Sequence, residues 1–140
     1  MKLLFATALA LGAASASAIP LVGLTSANQI ARFDSASPMS STAVSVSGLA
    51  AGDRLIGIDS RPSNGQIYGI SLSNQIYTVN EFTGAASFVA ALSSPIINTT
   101  LSYGIDFNPV ADASGAASLR LVSSSGNNYA INANTGAVTV

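Results

Sequence analysis

The chain has no cysteine, no histidine and no tryptophan. Lacking the first two, it cannot build a zinc site on thiolate or imidazole, a thiol nucleophile or a histidine-based triad. No disulfide braces the fold either, so core packing and strand ladders must hold it together. Charge is scarce, at 8% of the 140 residues. After Lys2 the only basic residues are the scattered Arg32, Arg54, Arg61 and Arg120, which excludes the clustered cations that nucleic-acid binding requires. What is abundant is apolar material, 49% of the chain. That supplies a core and excludes intrinsic disorder.

The first residues read as an export leader, 1–18. Lys2 supplies a positive start, the apolar run from Leu3 to Leu11 follows, and Ala16-Ser17-Ala18 forms an A-x-A cleavage pattern ending at Ala18. The run is shorter than the roughly 20 residues a bilayer span needs. With no cysteine after the cleavage site, a lipid anchor there is excluded. The expectation is a secreted protein, extracellular or periplasmic, with a single domain over 19–140.

Internal repetition is the strongest signal. Gly57-Ile58-Asp59 returns as Gly104-Ile105-Asp106, 47 residues later, and each is followed by a proline in a polar loop. Gly23-Leu24 through Asn28-Gln29-Ile30 returns as Gly69-Ile70 through Asn74-Gln75-Ile76 after 46 residues. Tyr77-Thr78-Val79-Asn80 with Thr83-Gly84-Ala85 corresponds to Tyr129-Ala130-Ile131-Asn132 with Thr135-Gly136-Ala137.

The middle unit predicts four short strands, near Arg54–Asp59, Gln66–Ser71, Gln75–Asn80 and Ala85–Ala91, rich in Ile, Val, Tyr and Phe. Asn64-Gly65 predicts a type I′ hairpin turn, with both residues at positive φ. Ser73-Asn74 and Thr83-Gly84 predict the next two turns. Tight turns impose antiparallel pairing. The expected fold is therefore all-β, built from four-stranded antiparallel repeats of about 46–47 residues. Apolar residues on both faces of each unit point to sheets stacked as propeller blades, whose size is about 40–50 residues. About two and a half blades fit, because the first unit lacks its opening strand and the last stops at Val138-Thr139-Val140. A closed propeller needs roughly four or more, so the expectation is a partial propeller in a truncated chain, with ring assembly or an open stack as alternatives.

Several phrases occur in a fixed order: Gln29-Ile30-Ala31-Arg32-Phe33-Asp34, Leu55-Ile56-Gly57-Ile58-Asp59-Ser60-Arg61-Pro62, Gly65-Gln66-Ile67-Tyr68-Gly69, Gly104-Ile105-Asp106-Phe107-Asn108-Pro109, Leu119-Arg120-Leu121-Val122-Ser123 and Asn134-Thr135-Gly136-Ala137-Val138. In these the chain resembles the N-terminal portion of a family of secreted β-repeat proteins catalogued as a domain of unknown function. The resemblance covers almost all of 19–140. It implies a propeller-like fold with further β units and supplies no catalytic residues.

Candidate chemistry is thin. Asp59 and Asp106 end equivalent strands and are weak metal candidates, but a hard cation needs several oxygen ligands. The competing reading is that each carboxylate accepts backbone N–H groups of its loop. The acids Asp34, Asp53, Asp59, Glu81, Asp106 and Asp112 could pair as a glycosidase couple, yet no motif selects two of them, and solvated loop positions are the expectation. Tyr68, Tyr77, Tyr103 and Tyr129 could stack on sugars, with packing between blades as the plainer reading. Asn98-Thr99-Thr100 is a glycosylation sequon that matters only in a eukaryotic host. No cofactor is called for.

Two functions remain. The first is a secreted non-enzymatic interaction or structural module for an unknown protein or glycan partner, with self-association through uncovered blade faces. The second is a propeller-type hydrolase or lyase with an acid-lined, metal-assisted channel.

Overall fold

The computed structural model describes residues 17–140. The leader through Ala16 lies outside the described residues, and Ser17 and Ala18 at the cleavage pattern are exposed. Among the described residues eleven strands form three antiparallel sheets, and one short helix is inserted in the third unit. The first contains β1 (Pro20–Leu24), β2 (Gln29–Asp34) and β3 (Ser37–Ser45). The second is the meander β4 (Leu55–Ser60), β5 (Ile67–Ser71), β6 (Gln75–Val79) and β7 (Ala86–Ala91). The third contains β8 (Tyr103–Phe107), β9 (Ser118–Ser123), β10 (Asn128–Asn132) and β11 (Val138–Thr139), with helix α1 (Pro109–Ala113) between β8 and β9. The fold is all-β and the repeat units are the sheets. Val138-Thr139 pairs with β10, giving the third unit its fourth strand. No closed barrel forms among the described residues.

The second sheet is central, and its two faces make two cores. Strand alternation sends Leu55, Ile67, Tyr77 and Val79 toward Ile30, Val22 and Val44 of the first sheet. Tyr68, Ile70 and Ile76 meet Phe107, Leu119, Leu121 and Ile131 of the third. Burial on both faces is what a sheet stacked between two others requires.

That pattern stops at the third sheet. Its outward residues include Arg120, Val122 and Asn128, which occupy the positions of Tyr68, Ile70 and Ile76 in the second sheet. The expectation of two apolar faces in every unit is corrected here. Leu119 and Leu121 are fully buried while their neighbours Arg120 and Val122 are exposed, so β9 alternates as a strand with one wet face does.

The turns follow the residues that permit them. Asn28 and Asn74 hold φ of 56° and 58°, and Gly84 and Gly136 hold 73° and 74°. Asn80 Oδ1 accepts the N–H groups of Phe82 and Thr83, and Asn132 does the same for Asn134 and Thr135, so both turns are nucleated by an asparagine side chain. The Asn64-Gly65 expectation is corrected. Only Gly65 is left-handed, at 68°, and it closes a four-residue loop in which the Arg61 carbonyl accepts the N–H of both Asn64 and Gly65. The turn instead begins at Arg61, with Pro62 at the second position where its fixed φ is favoured and Asn64 at the fourth, its N–H on the Arg61 carbonyl.

Candidate functional site

The chemistry-bearing side chains gather where the second and third sheets meet. Asp59 is the penultimate residue of β4, and its Oδ1 accepts the N–H of Ser60 at 2.8 Å. Its Oδ2 reaches across to the N–H of Phe107 at the end of β8, at 2.7 Å. The carboxylate thus ties the opening strand of one sheet to that of the next. Asp106, its repeat counterpart, is exposed opposite Arg120, with no hydrogen-bond donor on it among the described residues. Asp59 and Asp106 do not converge on a common point with a third acid, and among the described residues no group of three acids does.

A second joint was not foreseen. Arg61 is buried beside the proline loop. It donates from Nε to Asp112 at 2.7 Å, and from a terminal nitrogen to Asn134 Oδ1 at 2.7 Å and to the Tyr68 hydroxyl at 3.3 Å. Its guanidinium also lies 5.5 Å from the Tyr68 ring centre and 5.8 Å from that of Phe107, close enough for cation–π attraction. Asp112 accepts the Ser63 N–H at 2.9 Å with its other oxygen. Burial by itself would raise this carboxyl, but the hydrogen bonds from Ser63 and Arg61 and the guanidinium charge outweigh it and hold its pKa below the usual aspartate value.

Asp112 corrects the expectation of a solvated loop acid: it is 2% exposed, on α1. The helix was missed because it spans five residues, yet its signals were present. Asn108 caps it by accepting the N–H of Val110 and Ala111, and Pro109 starts it. Network members from separate loops carry no local motif, so neither Arg61 nor Asn134 stood out.

The other acids serve the main chain or a neighbouring cation. Asp34 accepts the Ala36 N–H, and Asp53 Oδ1 accepts those of Arg54 and Ser73. Glu81 lies 3.4 Å from Arg32, whose guanidinium stacks 3.9 Å above the exposed Phe82 ring. The tyrosines sit in strands. Tyr68 meets Phe107 edge-on at 5.4 Å, and Tyr77 meets Phe88 similarly at 6.0 Å. Tyr77 bonds Gln75 and Ala50, Tyr129 packs against the core between the second and third sheets, and Tyr103 accepts the Asn98 N–H at 2.7 Å. Asn98 is exposed, its side-chain oxygen held by the Thr100 hydroxyl at 2.8 Å.

The sequence from β2 through β11, residues 29–140, matches the family described as Domain of unknown function (DUF4394). The chain belongs to the DUF4394 family. No curated protein and no solved structure matches it. DUF4394 membership carries no assigned activity, so the roles of Asp59, Arg61 and Asp112 rest on their geometry. In this DUF4394 chain that geometry is a set of joints between stacked sheets.

Proposed function

We propose that this DUF4394 protein is a secreted, non-enzymatic interaction or structural module that offers the edges and loops of stacked sheets to a partner. One observation carries the reading: the acids best placed to do chemistry, Asp59 and Asp112, have both oxygens engaged by scaffold donors. A catalytic acid or base must be positioned on its substrate, whereas Asp59 is positioned on the main chain of two adjoining strands and Asp112, 2% exposed, on Arg61 and Ser63. The leader pattern at Ala16-Ser17-Ala18 supports export, and extended repeat surfaces suit partner binding by fold-level analogy.

The test is to incubate purified protein with a panel of glycans and matrix proteins, and in parallel with a panel of polysaccharide substrates. Saturable binding without product release is the expected result. Turnover of any polysaccharide, abolished by Asp106→Asn or Glu81→Gln, would overturn the reading in favour of a hydrolase or lyase.

A further inference from the structure

The second and third sheets carry the same groove at the same place. In the third it is lined by Ser118, Ala130, Asn132 and Thr139 among others, and in the second by their counterparts Gln66, Thr78, Asn80 and Ser87. The turn beside it differs between the two. Asn132 and Asn80 hold it in the same way. After Asn132 come Ala133, fully buried in the core, and Asn134, bonded to Arg61. After Asn80 come Glu81 and Phe82, and Phe82 is 61% exposed. Neither side chain is needed for a turn that Asn80 already holds, and the exposed ring forgoes the burial that stabilises most phenylalanines.

Glu81 and Phe82 also wall a larger groove of about 510 Å³ between the first and second sheets, with Val22, Arg32 and Ile58 among its other residues. The smaller groove is about 410 Å³. Both lie within the roughly 300–1,000 Å³ of small-ligand clefts. Phe82 lines the two, whereas Arg32 lines only the larger. Arg32 covers one face of the ring at 3.9 Å, and the exposure of Phe82 leaves the other face open. We infer that this open face and the two grooves meeting at it bind a neutral oligosaccharide. The inference rests on the interaction-module reading and gives it a ligand class and a site.

The chemistry of the lining selects that class. A sugar ring presents apolar C–H faces and a rim of hydroxyls, each both donor and acceptor. The ring of Phe82 supplies the apolar plate. Around it stand polar groups of both kinds that the scaffold has not used. Arg32 and Glu81 approach each other at 3.4 Å, and neither side chain makes a hydrogen bond among the described residues. Arg32 thus keeps donors, and Glu81 acceptors, for ligand hydroxyls. Charge selects a neutral ligand. The larger groove holds one cation, Arg32, and one unengaged anion, Glu81, while its remaining acid, Asp59, has both oxygens on main-chain N–H groups. A ligand of either sign would meet a like charge, and an uncharged polyhydroxyl ligand meets none. Grooves on both sides of one ring suit a chain of sugars better than a single one. An ion pair this exposed contributes little to folding, so the site tolerates substitution.

Fluorescently labelled hexasaccharides of glucose, mannose, xylose and N-acetylglucosamine test this by anisotropy against the purified protein. An oligogalacturonate and a chitosan oligomer serve as the acidic and basic arms. Saturable binding of at least one neutral hexasaccharide is expected, with the charged oligomers bound at least roughly tenfold more weakly. Phe82→Ala should weaken binding by about tenfold or more, and Phe82→Tyr should retain it because the plate is restored. Arg32→Ala and Glu81→Ala should each weaken it roughly tenfold. Phe88→Ala, at an exposed aromatic of the same sheet, should bind like the parent. Urea unfolding verifies that each variant compared is folded. No saturable binding of any neutral hexasaccharide at millimolar concentration overturns the proposal. So does a charged oligomer that binds as tightly, or a loss in Phe88→Ala equal to that in Phe82→Ala. Failure of every oligosaccharide alongside intact binding of a matrix protein removes this site and leaves the module reading standing. Turnover of a bound hexasaccharide keeps the site and removes the module reading itself.

Discussion

Gly84 lies directly over the main chain of Ser45, so close that a Cβ at Gly84 would overlap the Ser45 carbonyl oxygen. Its carbonyl accepts the N–H of Ser47, and Ala86 donates back to Ser47, so the turn of the second sheet is stitched to the chain leaving the first. Gly136 repeats the arrangement over Ala91, with its carbonyl accepting the Ser93 N–H. Each Thr-Gly turn is thus an inter-sheet contact as well as a turn.

Gly84 and Gly65 make a matched pair for testing that distinction. Their φ values are 73° and 68°, but nothing lies within 4 Å of a Cβ built on Gly65. Gly65→Ala should cost about 1 kcal/mol, the left-handed penalty alone. Gly84→Ala adds a main-chain collision and should cost about 3 kcal/mol or more. Urea unfolding midpoints compare them. Equal midpoints would mean that the Thr-Gly turn does not touch the preceding sheet.

Asn74 also joins two units. Its left-handed backbone permits the turn, and its Oδ1 accepts the N–H groups of Ile96 and Ile97 at 2.8 and 2.9 Å. Asn74→Gly keeps the backbone conformation but orphans both amides, for an expected loss of about 2 kcal/mol. Asn74→Asp retains the acceptor and should stay near the parent. Thermal denaturation of the two variants, with hydrogen exchange at Ile96 and Ile97, separates the bond from the turn.

The strands of the middle unit were legible because glycine, asparagine and proline bracket short apolar runs. The observed ends fall within one residue of expectation at Leu55, Ile67, Val79 and Ala86. Joints between units were less legible. Asp59 announced itself by repetition, but its bond to Phe107 needs the stacking of two sheets, which no local pattern specifies. Arg61 and Asp112 lie 51 residues apart in sequence, and each reads alone as a surface charge. The polar outer face of the third sheet was written in Arg120 and Asn128, at the places of Tyr68 and Ile76. It went unread because the repeat lengthens between β8 and β9, where α1 is inserted.

Asp59 and Asp106 should respond differently to the same substitution. Asp59→Ala leaves the Phe107 N–H without its acceptor in a half-buried joint, with an expected cost of about 2 kcal/mol. Asp106→Ala should stay within about 0.5 kcal/mol, as for an exposed side chain with no donor on it. If a cation joined them, added calcium would raise the melting temperature of the parent and of neither variant. The expected result is no calcium response in any of the three, read by differential scanning fluorimetry.

The last expectation concerns acid. The Asp112 pKa is lowered in the folded protein, so folding favours its ionised form. That contribution is fully present above the ordinary aspartate value of about 3.9 and is lost as pH falls through the lower folded value. Stability measured by urea midpoint should therefore drop below about pH 4. Asp112→Asn should be less stable than the parent at pH 7, because the buried Arg61 loses its counter-charge. It should also fall less steeply on acidification, because the group that titrates is gone. Arg61→Met alone should be destabilising, for it leaves a buried carboxylate without its cation, whereas Arg61→Met with Asp112→Leu should recover much of the loss. If Asp112→Asn kept the parent's full acid slope, the pH response would belong to other carboxylates, and the Arg61–Asp112 pair would not be the joint that acid releases.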